Sequence, residues 1–581
     1  MQSLKRFNRV FLSSDQIITR LGNGECGGKA SGLIRVDREI LDERLSLNLP
    51  GGVSVSIPRS VVITTEFFDL FMEKNDLESV ITDGLDHSDE RIAHRFLNAD
   101  IPSRLAGDLR ALAEEVHTPL AVRSSSLLED ALHHPFAGVY ATKMIPNNNP
   151  DPDIRYRQLV EAVKFVWAST FFRDARLYRR TIDRTDGDEK MAVIIQDVIG
   201  QHRYGRYYPT VSGVARSMNF YPSGQAKPED GVVHLALGLG KTIVDGGISW
   251  IYSPAFPSAP PPFNSVKDIL KLTQTEFWAV DMALVGEQRP DLENEYLIRC
   301  SLKDAEYDGM LSFIASTYNT ASDRIIPGLG SGGPRILDFS PVLTYRDIPL
   351  NDCIVELLHS CERLYSSPIE LEFAVNFDRK RGVPAQVGFL QVRPMATDTT
   401  MVDIAPLELE RTETVIAGTA CLGNGVIEGI EDIVYAVPEF FEPSYTREMA
   451  LELDGFNRTL LSELRQYVLI GFGRWGSSDP WLGIPVVWSN INGARVIVES
   501  TLPRMAPEMS QGSHFFHNLT SFHVPYFTIR QAGPDHINWE WLQGKREISR
   551  GRFIRHVRTD CPLIVRVDGR TGFGVIKTDD S

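Results

Sequence analysis

The side chains in this sequence that could do chemistry are cations, carboxylates and one carboxamide, each placed at the end of an apolar or glycine-rich run. Gly27-Gly28-Lys29-Ala30-Ser31-Gly32 carries an amine out of a flexible turn into a helix start, where an ammonium can meet phosphate oxygens as a compact point charge. In isolation such a lysine is more often simply solvated. Ala121-Val122-Arg123-Ser124-Ser125-Ser126 ends an apolar strand on an arginine and three hydroxyls, followed by Glu129-Asp130 and by Pro135-Phe136-Ala137-Gly138. A guanidinium leaving a buried strand needs an anionic partner, because burying it alone is costly; a ligand or a structural ion pair would serve equally. Ile369-Glu370-Leu371-Glu372-Phe373 alternates, so both carboxylates project from one strand face about 7 Å apart. A divalent cation would relieve their repulsion and bridge to phosphates, whereas an ordinary strand edge would leave them hydrated. Phe389-Leu390-Gln391-Val392-Arg393 also alternates, and sets an oxygen ligand and a bidentate anion fork on one face. Taken jointly, Lys29, Arg123, Glu372, Gln391 and Arg393 are the inventory for holding a metal-bound polyphosphate.

Other signals are weaker. Gly22-Asn23-Gly24-Glu25-Cys26-Gly27 fits G-x-G-x-x-G, but a polar-started segment, FLSSDQIITRL, precedes it where a dinucleotide fold has an apolar core strand. Gly240-Lys241-Thr242 ends like a P-loop, yet the first glycine of that motif falls on Leu235. Arg474 and Trp475 with Asp479 and Trp481 resemble a small ligand site, in which tryptophan either stacks or is core. His514 and His517 sit in a glycine- and hydroxyl-rich stretch; an imidazole can take a phosphoryl group, and a satisfied core histidine beside Phe515 and Phe516 is the plainer alternative. As a metal site the pair lacks a third ligand. The run from Lys545 to Arg558 predicts a solvated helix face, with an anion or RNA dock as its alternative.

Positioning these groups requires strands between helices. VVIT at 61–64, LAVRS at 120–124, MAVIIQ at 191–196 and IELEFAV at 369–375 read as strands, while apolar residues recur at helical spacing over 156–180, 264–286 and 446–467. That is a mixed α/β plan. Five prolines between Tyr252 and Phe263 make a stiff loop, and the pattern changes after Pro394, so the chain divides near residue 405. At 581 residues it holds about three to four structural units. The net charge of -16 disfavours a nucleic-acid partner. Six scattered cysteines, no signal peptide and no membrane-length apolar run predict a cytoplasmic protein with reduced thiols.

Here a resemblance enters. GGKASGL at 27–33, IPRSVVITTEFFDLFM at 57–72, AVRSSSLLED at 121–130, MAVIIQDVIG at 191–200, VSGVARS at 211–217, LGLGKTIVDG at 237–246, IELEFAV at 369–375 and LQVRPM at 390–395 resemble the ATP-grasp domain of the phosphoenolpyruvate synthase and pyruvate phosphate dikinase family. The resemblance implies a two-lobed nucleotide-binding fold over roughly 20–400, with one lobe at 1–115 and the remainder at 116–405. It implies that Lys29, Arg123 and Arg393 contact ATP phosphates, that Glu372 and Gln391 hold Mg2+, and that adenine lies along MAVIIQ near Gln196. Lys241 departs from the acidic residue common in the family. Residues 406–581 would be a smaller α/β domain with the glycine rhythm of a degenerate swivelling domain, too short for a pyruvate-binding TIM barrel. The implied activity is ATP-dependent phosphoryl transfer to a histidine, with His514 the first candidate, to an unidentified acceptor, or to a separate protein chain supplying the acceptor domain. The alternative is a nucleotide-responsive regulatory module or pseudoenzyme without turnover.

Overall fold

The structure is a computed structural model that describes residues 4–8, 17–41, 49–77, 88–126, 139–181, 189–219, 225–259, 269–270, 273–283, 289–330, 332–377, 384–395, 402–409, 413–423, 425–476, 481–502, 519, 524–530, 533–569 and 571–578. The architecture is mixed α/β. It forms two compact units, residues 1–243 with 248–394, and residues 244–247 with 395–581.

In the first unit, two sheets carry the residues singled out above. One is five-stranded, in the order Ile18–Leu21, Ser60–Ile63, Met191–Asp197, Leu120–Ser126, Thr142–Ile145. Its central members are β1 (Leu120–Ser126) and β2 (Met191–Asp197), and both are almost wholly buried. The other is six-stranded and contains β3 (Val211–Arg216), β4 (Ile369–Asn376) and β5 (Ala385–Pro394) side by side and antiparallel. Along β4 the period of two sends Leu371, Phe373 and Val375 into the apolar core and Glu370 and Glu372 to the opposite face. Helix α1 (Gly27–Val36) buries Ala30, Leu33 and Val36 in that core. The proline-rich loop contributes Pro254 and Pro257 to the wall of a cavity of about 480 Å3 that also involves Arg346, Asn351 and Glu356.

The helical spacing over 264–286 is overturned at its end: Glu276–Asp281 is a strand, paired on both sides with Leu297–Ser301 and Arg206–Tyr208. Phe277 and Ala279 alternate into the core there, and the tertiary partners override a spacing that fitted either period.

The second unit is built on a ten-stranded sheet. Its parallel part runs through β6 (Gly425–Ala436), β7 (Tyr467–Phe472), Ala494–Ser500 and Tyr526–Ile529. Helix α2 (Thr446–Ser462) connects β6 to β7. On the other side of β6 the edge strand β8 (Arg546–Arg550) and the long β9 (Ile554–Asp568) form an antiparallel hairpin. The basic run from 545 to 558 is therefore a sheet edge and not a helix face. Its cations are mostly matched within the chain: Lys545 with Asp560, Arg550 with Glu547, Arg552 with Glu448 and Arg558 with Asp432.

Asp432 is a buried anion of this unit, accepting hydrogen bonds from His556 at 2.8 Å, Arg558 at 2.9 Å and Arg465 at 2.5 Å. Burial alone would raise its carboxyl, but those three donors pull it from 3.8 down to about 2. A depressed carboxylate stabilises the fold above the unfolded value and loses that contribution as pH falls through the folded one. About 2 kcal/mol should thus be present above pH 4 and vanish towards pH 2. Urea unfolding should show the Asp432→Asn deficit at pH 7 narrowing at pH 3; a deficit constant with pH would refute the assignment.

Candidate functional site

The loop from strand Ile18–Leu21 into α1 is fixed by its neighbours, and this explains its glycines. A Cβ on Gly22 or Gly24 would collide with Thr64 or with the backbone of Glu66, so these residues serve close packing against the next helix start. Gly27 has φ +77°, and a Cβ there would lie 1.7 Å from the Ser125 carbonyl oxygen. The Ser125 hydroxyl donates to the Cys26 carbonyl at 2.8 Å and accepts from the Ala30 amide at 3.1 Å, capping α1 from β1. Lys29, in the first turn, then donates to Ser124 Oγ at 3.0 Å. Farther along, Gly32 brings α1 against the Val392 carbonyl of β5, so one helix is pinned to both sheets.

Arg123 joins the sheets directly. Nη1 donates to Gln196 Oε1 at 3.3 Å on β2 and to the Leu390 carbonyl at 2.9 Å; Nη2 donates to Gln391 Oε1 at 2.8 Å and Glu372 Oε2 at 3.1 Å. The Leu390 carbonyl is available because the β4–β5 register skips this residue, pairing Glu372 with Gln391 but Phe373 with Phe389. Such a bulge releases one residue from the ladder and re-aims its groups. Gln196 also donates to Ser60 Oγ at 3.0 Å, which holds its carboxamide oxygen towards Arg123. Glu372 and Gln391 therefore direct a carboxylate and a carboxamide oxygen at the same guanidinium nitrogen, and hard oxygen donors of this kind are what Mg2+ takes.

Two register positions along, on the same face, Arg216 of β3, Glu370 of β4 and Arg393 of β5 stand in a row across three strands. Arg216 Nε is 2.5 Å from Glu370 Oε2, and Arg393 bonds the other carboxylate oxygen. All three are buried, with side-chain exposures of 5%, 4% and 8%, so the like-charge pair expected at 370 and 372 is neutralised by arginines on both members. On the adjoining strand Val232–Ala236, burial and the nearby Arg216 charge push the His234 imidazole down to about 3, so the ring is neutral. Arg216 and the pairing of Glu370 were missed from sequence, since V-S-G-V-A-R216 places apolar Val214 on the same face as Arg216 and so alternates weakly.

Beside Gln196, Val198 belongs to an apolar cluster with Ala121, Leu239 and Val280, flanked by Tyr207 and Trp278. Lys241 lies 6.0 Å above the Trp278 ring and Arg299 lies 4.9 Å from it. Arg123, Gln196, Glu372 and Gln391 are thus brought together, Lys29 bonds Ser124 beside Arg123 on β1, and Arg393 bonds Glu370 two residues from Glu372 on β4. His514, His517 and Asp479 lie outside the described residues. Trp475 is core, 1% exposed and donating to the Val498 carbonyl at 3.3 Å, while Trp481 is exposed, so the expected ligand site at 474–481 is not supported by its first tryptophan. Among the described residues, Glu90, His94 and Asp291 come close enough to share a metal, but Arg289 already grips Asp291 through two hydrogen bonds of 3.0 and 2.7 Å.

Comparison with known proteins finds the family described as pyruvate phosphate dikinase, AMP/ATP-binding domain, matching residues 24–413. The phosphoenolpyruvate synthase of Aeropyrum pernix is 23% identical over 390 residues, which cover 63% of this chain and 40% of that protein. The chain thus spans less than half the length of this curated relative. No helix among the described residues is long and apolar enough to cross a membrane.

Proposed function

This chain belongs to the pyruvate phosphate dikinase AMP/ATP-binding family over residues 24–413, and on that premise we propose that its first unit is an ATP-grasp domain that binds ATP and Mg2+ between its two sheets and passes on a phosphoryl group. The observation that carries this reading is the Arg123 network, in which oxygen groups from β2, β4 and β5 meet a guanidinium from β1, while Lys29 of α1 bonds the adjacent Ser124. Adenine would lie in the apolar cluster beside Gln196, against Trp278 and Val198. Lys29 and Arg123 would hold phosphate oxygens, with Arg393 oriented for the same task by Glu370.

Glu372 and Gln391 would hold the magnesium, which when bound offsets negative charge on the phosphate oxygens. The residues of this chain contribute positioning: a phosphoryl group gripped by fixed cations in a partly buried site needs little reorganisation as charge shifts to the leaving oxygen. The acceptor would be a histidine such as His514, a small molecule, or a separate chain. A second reading, a nucleotide-responsive regulator without turnover, is favoured by Lys241, whose ammonium joins Arg299 around Trp278 and adds positive charge where the family resemblance leads one to expect an acid.

Equilibrium dialysis with ATP–Mg2+ tests the pocket. Arg123→Ala and Lys29→Ala should each weaken ATP binding at least tenfold, and Glu372→Gln should chiefly weaken the dependence on magnesium. Unchanged affinity in all three variants would discard the site. Product analysis then separates the readings: AMP or ADP accumulates for the transferase, and ATP stays intact for the regulator.

A further inference from the structure

The hairpin of β8 and β9 aligns a hydroxyl, an imidazole and a carboxylate. Ser549 and His556 are opposed in the antiparallel register, and Ser549 Oγ is 3.3 Å from His556 Nδ1. On the far side of the ring, Nε2 is 2.8 Å from Asp432 Oδ1. His556 and Asp432 are buried, whereas Ser549 is exposed.

The carboxylate dictates the tautomer. An ionised Asp432 can only accept hydrogen bonds, so Nε2 carries a hydrogen, and the ring in its base form turns a bare Nδ1 towards the serine. The Ser549 hydroxyl therefore donates to that lone pair. A nucleophile within reach of a base, and a base oriented by a third group, is the arrangement that activates a hydroxyl. Phe456 of α2 sets its ring edge-on to the imidazole, with centroids 6.5 Å apart, and shields one side of it from water.

The surroundings select the electrophile. Arg546 is opposite Arg558 in the same hairpin, and Arg558 lies two residues from His556 on the same strand face. Arg558 donates from Nε to Asp432 at 2.9 Å, whereas Arg546, three residues before the serine on β8, is exposed, and its guanidinium favours an anionic group.

We propose that Ser549 is a phosphoryl-accepting nucleophile, with His556 as its base and Asp432 as the residue that positions the base. The donor class is a phosphoanhydride or an acyl phosphate. Ser549 Oγ attacks phosphorus, and the Oγ–P bond forms as the bond from phosphorus to the leaving oxygen breaks. The leaving group departs with the electron pair, as a nucleoside diphosphate or a carboxylate. The hydroxyl proton passes to His556 Nδ1, and Asp432 pairs with the resulting imidazolium. Only the use of ATP as donor rests on the nucleotide reading above.

The full chain is incubated with ATP–Mg2+ and, separately, with acetyl phosphate, and acid-stable phosphate is mapped by peptide mass spectrometry, since phosphoserine survives the acid that strips phosphohistidine. Phosphate should appear on Ser549 with at least one donor, be absent in Ser549→Ala, and form at least about 100-fold more slowly in His556→Gln. Labelling by acetyl phosphate alone supports the centre and identifies a free donor; labelling by ATP alone supports it and identifies the nucleotide. Should His556→Gln fail to fold, the exposed Arg546→Ala should slow labelling about tenfold at unchanged Tm. Wild-type protein left unlabelled on Ser549 by both donors overturns the proposal, as does an undiminished rate in folded His556→Gln.

Discussion

Glu370→Ala should destabilise the first unit by about 3–5 kcal/mol, because it takes the shared carboxylate from between two buried guanidiniums. Arg216 and Arg393 bond opposite oxygens of that carboxylate from the strands on either side, so no small shift of one strand can replace it. Urea unfolding of the full chain, following the transition of the first unit, gives the number. Replacing all three residues with apolar ones of similar volume, as Arg216→Met, Glu370→Leu and Arg393→Met together, should recover all but about 1–2 kcal/mol, while ATP binding is weakened by the loss of Arg393. That split separates what the row does for stability from what Arg393 does for a ligand. A Glu370→Ala protein within about 1 kcal/mol of the wild type would show that the row is not the electrostatic keystone of the sheet.

Gly27→Ala should be nearly as damaging, for reasons of shape. The added carbon would lie 1.7 Å from the Ser125 carbonyl oxygen, at a φ of +77° that side chains rarely adopt. The strained backbone costs about 1–3 kcal/mol by itself. The obstacle is strand backbone in the middle of a buried sheet, so the first turn of α1 must move instead, and Lys29 moves with it. A loss of about 2–4 kcal/mol in stability should accompany a fall of at least 100-fold in ATP affinity, measured by unfolding and dialysis on one preparation. Gly51→Ala, where nothing lies within 4 Å of the added carbon, is the control and should be neutral in both. Full ATP affinity in Gly27→Ala would mean that α1 does not position the ligand.

Much of this site could be read before folding because its strands have a strict period of two. Alternation in IELEFAV and FLQVRP was enough to put Glu370 with Glu372 and Gln391 with Arg393 on single faces, and the structure shows β4 and β5 paired so that these faces coincide. What alternation does not contain is the identity of the third strand. Arg216 meets Glu370 across more than 150 residues of chain, and only the register of β3 against β4 makes them partners. The Leu390 bulge is likewise a property of strand pairing and equally invisible. In the hairpin of the second unit a register shift between Glu547 and Ser549 breaks the period of two. The basic residues at 546, 550, 552, 555 and 558 then recur at spacings that imitate a helix. Glu276–Asp281 failed for the opposite reason, since its pattern satisfied both periods and the flanking strands decided.

The position of Arg123 has a thermodynamic corollary. Its guanidinium is already shared by Glu372 and Gln391, so a triphosphate that claims it must draw it away from them, leaving two oxygens ready for a cation. Anion and cation would then each raise the affinity for the other by the same factor, as linkage requires, and neither would bind well alone.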